Sequence, residues 1–214
     1  MSELISNEMK KIVKNGYDQG KYAKYFGNKK ELNLFEKRYF NQLIECIPEK
    51  SNILDLGCGT GLPYDAYLVE HGHNLTGIDN VDNHIKLAKK NVKEGNYILA
   101  DFTKYKFKKN SFNAIIMMYS IFHILREEHE RIIKFINEYL VNNGYILIVM
   151  CIEETDEVEI DYNFCGNVKM AWSSYNSEKN IELIETNGFE IIQYDNESDY
   201  SSEEDFLWIL AKKK

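Results

Sequence analysis

The stretch Asp55-Leu56-Gly57-Cys58-Gly59-Thr60-Gly61 is the most informative part of this sequence. It follows a short apolar run at residues 53–56 and precedes a stretch of helical periodicity with Pro63 near its first turn. Glycines at such a junction let the backbone turn sharply and approach a ligand closely, while the start of a helix offers N–H groups. The stretch therefore predicts a ligand-binding loop between the first strand and first helix of an α/β sheet.

Outward from this loop, short apolar runs alternate with amphipathic stretches. The alternation is typical of a parallel sheet covered by helices on both faces. The predicted strands cover residues 53–56, 75–78, 97–99, 114–118 and 145–149, and the predicted helices cover residues 63–70, 81–92, 126–141 and 177–187. Two final apolar runs, 189–194 and 206–211, have no helix between them, which predicts an antiparallel pair that closes the sheet.

The first fifty residues have a different pattern. Apolar side chains recur at helical spacing in an N-terminal stretch and again over about residues 31–47, and a tyrosine-dense segment separates the two. We expect one domain over residues 1–214. Its parts are a helical cap or lid at 1–50, a cofactor-binding core at 51–150, a lid loop at 151–175, and a C-terminal helix with the antiparallel strand pair at 176–214.

Composition narrows the class of protein. The 214 residues carry a net charge of −8, which divides into +3 over residues 1–50, 0 over 51–150 and −11 over 151–214. This balance argues against a large nucleic-acid interface, which needs clustered Lys and Arg.

The longest apolar run, 145–152, is too short to span a bilayer, and the N-terminus lacks a signal-peptide pattern. The four cysteines lack metal-ligand spacing. We expect a cytoplasmic protein without a membrane partner, disulfide frame or metal, acting on a small molecule.

Acidic residues stand at the ends of the second and third predicted strands. Asp79 lies 22 positions after Gly57, close to the offset at which a carboxylate reaches a ribose diol. Asp101 and Phe102 end the third strand. The Asp101 carboxylate is a candidate to accept a hydrogen bond from an exocyclic amine, and the Phe102 ring is a candidate to stack on a purine. The alternative is a turn acid and a core aromatic residue. A nicotinamide site is disfavoured because Leu62 occupies the third-glycine position of the dinucleotide fingerprint.

The chain resembles the class I S-adenosylmethionine-dependent methyltransferases. The resemblance covers about residues 50–214 and rests on the glycine stretch and on Gly77-Ile78-Asp79, Ala100-Asp101-Phe102 and Asn143-Gly144-Tyr145. It implies a Rossmann-like seven-stranded, mostly parallel sheet in the order 3-2-1-4-5-7-6, with the seventh strand antiparallel. It also implies S-adenosyl-L-methionine as cofactor, with Gly57, Gly59 and Gly61 at its methionyl part, Asp79 at the ribose, and Asp101 and Phe102 at the adenine. Asp55, Asn80 and Tyr119 complete the predicted cofactor-binding set within the core. Tyr17 and Tyr22 are added as candidates, because Tyr17-Asp18 is similar to an N-terminal element that closes over the cofactor in such enzymes, although Lys21 replaces the alanine of that element.

A narrower resemblance, to bacterial small-molecule methyltransferases, rests on residues 119–129 and 170–175. It directs attention to His123, Trp172 and Tyr119 as candidates for contact with the acceptor. His123 is a candidate general base, and the alternative is a histidine that hydrogen-bonds the backbone. Trp172 is either a pocket wall or ordinary packing. The other histidines, His71, His73, His84 and His129, lie among polar residues and are expected to be solvated.

The sequence thus predicts a methyltransferase that acts on a small molecule through an O, N or S nucleophile. The alternative from another class is a protein that binds S-adenosylmethionine without catalysis and serves a regulatory or partner-binding role. Six acidic residues between positions 153 and 161 either attract a cationic acceptor to the lid or only solvate the surface. The acceptor and the oligomeric state are not predicted.

Overall fold

The computed structural model describes residues 2–19, 29–197 and 206–214. The helices are α1 (Ser2–Gln19), α2 (Leu34–Cys46), α3 (Tyr64–Glu70), α4 (Asp82–Asn91), α5 (His129–Tyr139), α6 (Phe164–Asn167) and α7 (Ser177–Thr186). The strands are β1 (Asn52–Leu56), β2 (Asn74–Asp79), β3 (Asn96–Leu99), β4 (Phe112–Met117), β5 (Leu140–Cys151), β6 (Glu159–Asn163), β7 (Val168–Trp172), β8 (Phe189–Asn196) and β9 (Phe206–Lys213).

Seven strands form one sheet in the order β3-β2-β1-β4-β5-β9-β8. Strands β1 to β5 pair in parallel, whereas β9 runs antiparallel to both β5 and β8. Counted within this sheet, β8 and β9 are the sixth and seventh strands. The predicted order 3-2-1-4-5-7-6, with an antiparallel seventh strand, is therefore confirmed.

The central strands are buried on both faces, as their near-continuous apolar sequences predict. One face packs against α5 and α7 through Ile132, Ile133 and Ile184. The opposite face packs against α2, α3 and α4, with Leu68 and Ile85 among the buried side chains. None of the helices in the described part of the chain combines the length and the apolar character that a membrane span requires.

The sequence predicts that helix α2 is part of a cap over the domain, but in the structure it packs against one face of the sheet. Its side chains Tyr39, Phe40 and Leu43 are fully buried against one sheet face. The helix begins with a capping box in which the Asn33 side chain accepts from the Glu36 backbone N–H and the Glu36 carboxylate accepts from the Asn33 N–H. Within the described part of residues 1–50, α1 lies over the carboxyl edge of the sheet, and α2 reaches the same edge at Glu36.

The predicted lid loop at 151–175 is wrong in its central part. Strands β6 and β7 form a separate antiparallel pair joined by the single turn of α6. Met170 and Ala171 of β7 are fully buried in a small cluster with Met9 and Val13 of α1. Helix α1 and this β6–β7 pair therefore pack together as one cover over the sheet edge.

The predicted helix at 126–141 is shorter in the structure. Two 3₁₀ turns, Ile121–His123 and Arg126–Glu128, precede α5. The chain then enters β5 at Leu140, five residues earlier than the predicted strand, with a register shift relative to β4. The 3₁₀ turns place His123 outside a regular α-helix, at the carboxyl edge of the sheet.

Trp208 of β9 tests this packing. Its side chain is fully buried, its ring lies 5.3 Å from that of Phe35 and 5.4 Å from that of Tyr39, and its indole N–H donates to Glu197 at 3.1 Å. We expect Trp208→Ala to lower the free energy of unfolding by about 3–5 kcal/mol in urea titrations. Trp208→Phe, which keeps an aromatic ring, should lose clearly less, and equal losses in the two variants contradict this packing.

Candidate active site

A cavity of about 680 Å³ opens at the carboxyl ends of the central strands. Parallel sheets of this kind bind ligands at this edge. The wall formed by the sheet includes Gly57, Gly59, Asp79, Asn80, Asp101, Phe102, Met118, Tyr119 and Ser120. The wall formed by the cover and the 3₁₀ turn includes Lys10, Val13, Tyr17, His123, Phe164 and Trp172. The cavity therefore lies between the sheet and the α1 and β6–β7 cover.

The glycine loop fits closely against the end of β4. Gly57 has a φ of +88°, and a Cβ added there would lie 2.6 Å from the Ser120 Cβ. The Ser120 hydroxyl donates to the Leu56 carbonyl at 2.6 Å. The loop can therefore take this course only with glycine at position 57, because an L side chain would be both strained and in collision.

Asp79 connects the glycine loop to the end of β2. Its carboxylate accepts from the Gly59 N–H at 3.0 Å and from the Val81 N–H at 2.8 Å, and the His84 ring Nδ1 lies 3.3 Å away. Each carboxylate oxygen has more than one lone pair, so these bonds leave capacity for a ligand hydroxyl. Asp79 thus holds the loop and lines the cavity with the same side chain.

Asp101 follows the third strand and lines one end of the cavity, where Thr103 fixes the position of its carboxylate. Its Oδ1 accepts from the Thr103 N–H at 2.9 Å and from the Thr103 hydroxyl at 2.7 Å. Lys10 of α1 places its ammonium 3.6 Å from Asp101 Oδ2 and donates to the Thr103 hydroxyl at 2.6 Å. Phe102 lines the cavity beside this carboxylate.

One face of helix α1 lies across the cavity from the wall that the sheet forms. Lys10, Val13 and Tyr17 are spaced by three and four residues, so they lie on the same side of the helix, and all three line the cavity. Lys10 contacts the end at Asp101, whereas the Tyr17 ring lies 5.2 Å from that of His84. The first helix therefore lines the cavity from Asp101 to His84.

The opposite end of the cavity is acidic. Tyr119, with a left-handed φ of 52°, donates its hydroxyl to Glu197 at 2.8 Å, and burial raises the pKa of this carboxyl. Glu36, fully buried, accepts from the Tyr64 hydroxyl at 2.7 Å and from Lys29 at 2.6 Å. The left-handed backbone conformation of Tyr119 is strained because Tyr119 is not a glycine, and such strain often marks a functional site.

His123 and Trp172 lie together in the cover wall. Their rings are 4.6 Å apart. His123 Nδ1 lies 3.1 Å from the Ala171 carbonyl oxygen, and Nε2 lies 2.8 Å from the Tyr17 hydroxyl. Burial lowers the pKa of His123 to about 4. The histidine is therefore neutral at pH 7, and the backbone hydrogen bond weighed in the sequence analysis is present.

Ten of the predicted site residues line this cavity: Tyr17, Gly57, Gly59, Asp79, Asn80, Asp101, Phe102, Tyr119, His123 and Trp172. Tyr22 lies outside the described residues. Asp55 and Gly61 do not line the cavity; Gly61, with a φ of +76°, packs instead against the Tyr97 hydroxyl. The structure thus gives Asp55 and Gly61 a position behind the ligand-facing part of the loop.

Sequence reasoning missed several cavity residues, chiefly Lys10, Glu36, His84 and Glu197. The helical spacing of Lys10, Val13 and Tyr17 could have identified the first of them. The prediction that His73, His84 and His129 are solvated is wrong, since all three are buried. None of the acidic residues at 153–161 lines the cavity, which favours the solvation alternative for these charges.

Asp55 and Asp65 form a buried acidic pair behind the glycine loop. They are 2% and 0% exposed, and their Oδ1 atoms find no donor among the described residues. The Tyr97 hydroxyl donates to Asp65 Oδ2 at 3.0 Å. Burial raises the pKa of Asp65 to about 7, and burial together with the neighbouring Asp65 charge raises that of Asp55 well above its usual range. The two carboxyls therefore share a proton near neutral pH.

This shared proton predicts a pH dependence of stability. An unfolded Asp loses its proton near pH 4, whereas Asp65 in the fold keeps it until about pH 7. The contribution of the pair is complete below pH 4 and is lost as the pH rises towards 7. Asp65→Asn, which keeps a donor for Asp55, should show a flatter decline of melting temperature over this window than the parent. Parallel curves for the two proteins contradict the shared proton.

Comparisons with known proteins agree with this geometry. A family profile described as "Methyltransferase domain" matches residues 54–148. The 18S rRNA (guanine-N(7))-methyltransferase of Mus musculus is 33% identical over 109 residues. That match spans 49% of this chain but only 38% of the length of the mouse protein. The chain therefore spans less than half of the length of this relative.

Solved structures share the fold. A methyltransferase from Methanosarcina mazei aligns with a TM-score of 0.71 at 18% identity, covering 85% of this chain and 99% of its own. Magnesium protoporphyrin IX methyltransferase from Synechocystis, with bound S-adenosylhomocysteine, aligns with a TM-score of 0.71 at 14% identity, covering 96% and 100%. Residues 54–148 of this chain thus match a methyltransferase domain, and the chain shares the fold of solved S-adenosylmethionine-dependent methyltransferases.

Proposed function

We propose that the protein transfers the methyl group of S-adenosylmethionine to a small-molecule acceptor inside the 680 Å³ cavity. One observation carries the proposal: the ligand-facing glycines and the strand-end acids line one wall, and an aromatic and imidazole group faces them from the cover. A cavity of this size is typical of small-molecule sites.

The sheet wall fits the cofactor. Gly57 and Gly59 line this wall without side chains, which would leave room for the methionyl part. Asp79, with Asn80 beside it, would accept from the ribose hydroxyls, and Asp101 with Phe102 would hold the adenine. When bound, the cofactor supplies an activated methyl group on a sulfonium. The protein then has to orient the two reactants and exclude water.

The cover wall fits the acceptor. Trp172 and Phe164 present aromatic rings, with Phe122 5.2 Å behind Trp172, while His123 and Tyr119 add polar groups at the end of β4. Aromatic walls with few polar groups bind planar organic molecules well. Helix α1 packs across part of the cavity, where it would help to exclude water from the reacting atoms.

Two alternatives are distinguished by experiment. The similarity to the mouse rRNA methyltransferase is the reason to consider an RNA acceptor. However, the net charges of +3 over residues 1–50, 0 over 51–150 and −11 over 151–214 provide little attraction for phosphates. A protein that binds the cofactor without catalysis would have no use for the polar and aromatic groups on the cover wall. The cavity therefore supports a small-molecule acceptor best.

Asp79 tests the cofactor part of the proposal. Asp79→Asn removes the charge that strengthens hydrogen bonds to the ribose hydroxyls, each worth about 1.5–3 kcal/mol. We expect calorimetry to show roughly tenfold or greater loss of affinity for S-adenosylmethionine. The matched control is Asp82→Asn, which changes an exposed carboxylate paired with Lys86. Unchanged affinity in the Asp79 variant contradicts the assignment.

The acceptor part is tested by following label from methyl-labelled S-adenosylmethionine. The protein is incubated separately with the low-molecular-mass fraction of a cell extract and with total RNA. We expect S-adenosylhomocysteine and labelled product in the first reaction only, and loss of product formation in Trp172→Ala. Label in RNA alone supports the RNA alternative, and absence of label in a protein that binds the cofactor supports the non-catalytic one.

A further inference from the structure

A tyrosine of the first helix and a histidine of the core meet inside the cavity. The Tyr17 hydroxyl oxygen lies 2.8 Å from His123 Nε2, and both residues line the cavity beside Trp172. The Tyr17 ring packs by its edges against His84, His123 and Phe164, with centroid distances of 5.2, 5.4 and 5.7 Å. The phenol is therefore held in orientation by these neighbours and by its hydrogen bond to His123.

The direction of that hydrogen bond follows from the second ring nitrogen. His123 Nδ1 lies 3.1 Å from the Ala171 carbonyl, which can only accept, so Nδ1 carries the proton. The neutral ring then has Nε2 as an acceptor, and the Tyr17 hydroxyl donates to it. Burial keeps the ring neutral by lowering the pKa of His123 to about 4. The backbone of β7 thus selects the tautomer that polarises the Tyr17 hydroxyl.

We propose that Tyr17 is the group that receives the proton of the acceptor's nucleophile, with His123 as the positioning residue that takes the Tyr17 proton in turn, and that the acceptor is a hydroxyl or thiol on an aromatic ring. This inference rests on the proposed function. It assigns Tyr17 to proton transfer, where the sequence analysis placed it among the cofactor contacts, and it makes His123 act through Tyr17.

The proton balance is complete without a further reactant. As the acceptor atom forms its bond to the methyl carbon, its bond to hydrogen breaks, and the C–S bonding pair stays on sulfur. The proton passes to the Tyr17 oxygen while the Tyr17 proton passes to His123 Nε2. His123 becomes an imidazolium, which the negative charge of Asp79 stabilises, and it returns its proton to water after product release.

The acceptor class follows from how acidic the acceptor becomes during methylation. A hydroxyl or thiol becomes a strong acid while it is being methylated, so its proton moves readily even to a weak base. An aliphatic ammonium product is a much weaker acid than imidazolium and would keep its proton. The aromatic side chains of Phe164 and Trp172 add the preference for a ring. The polar pair and its aromatic neighbours therefore point to the same acceptor class.

The experiment compares two probes whose nucleophiles differ in protonation. At pH 8 phenol is mostly protonated and 4-nitrophenol is mostly ionised. We expect Tyr17→Phe to lower kcat with phenol by about a hundredfold and with 4-nitrophenol by less than about threefold. KM and the cofactor dissociation constant should stay within about twofold. His123→Gln should behave alike, and the double variant should lose no more than either alone, because the two residues act as a unit.

Controls separate this role from packing and from the proposed function. Tyr194→Phe removes the hydroxyl of a tyrosine that is 55% exposed on β8, and it should leave both rates unchanged. Nitrogen NMR should show His123 as the Nδ1–H tautomer, with an Nε2 shift that changes in Tyr17→Phe but not in Tyr194→Phe. An equal loss with both probes overturns the proposal. So does a parent that methylates neither, whereas intact cofactor binding and labelled product from the extract would still support the proposed function.

Discussion

The Asp79 carboxylate is the contact on which the site depends. It accepts the backbone N–H groups of Gly59 and Val81, so one side chain fixes the glycine loop to the end of the neighbouring strand. The loop then meets the fourth strand at Ser120, whose hydroxyl closes onto the Leu56 carbonyl. These contacts hold three strand ends in register, and such order reduces the entropy that ligand binding must overcome.

Burial divides the polar groups of the site into two kinds. Behind the loop, Asp55 and Asp65 share a proton, and beside the cover His123 stays neutral, because ionisation would be costly where water is excluded. On the cavity wall, Asp79 and Asp101 keep backbone or side-chain donors at hydrogen-bond distance. The same fold therefore supplies neutral proton carriers and hydrogen-bonded carboxylates within one cavity.

The periodic part of the structure could be predicted because strand and helix patterns are local. The glycine loop, Asp79 and the sheet order follow from spacing and from the family resemblance. Contacts made by distant segments could not be predicted, among them Lys10 with Asp101 and Tyr17 with His123. The paired strands β6 and β7 were missed because polar residues obscure the alternation in β6, and because β7 is buried by the distant helix α1.

The most direct test of this account is a crystal structure of the protein with S-adenosylhomocysteine. The account places the ribose hydroxyls on Asp79, the adenine between Asp101 and Phe102 with Lys10 nearby, and the sulfur in the part of the cavity that Tyr17, His123 and Trp172 line. A sulfur atom that lies away from these three side chains, or a ribose that does not contact Asp79, would contradict the assignment of this cavity as the site of methyl transfer.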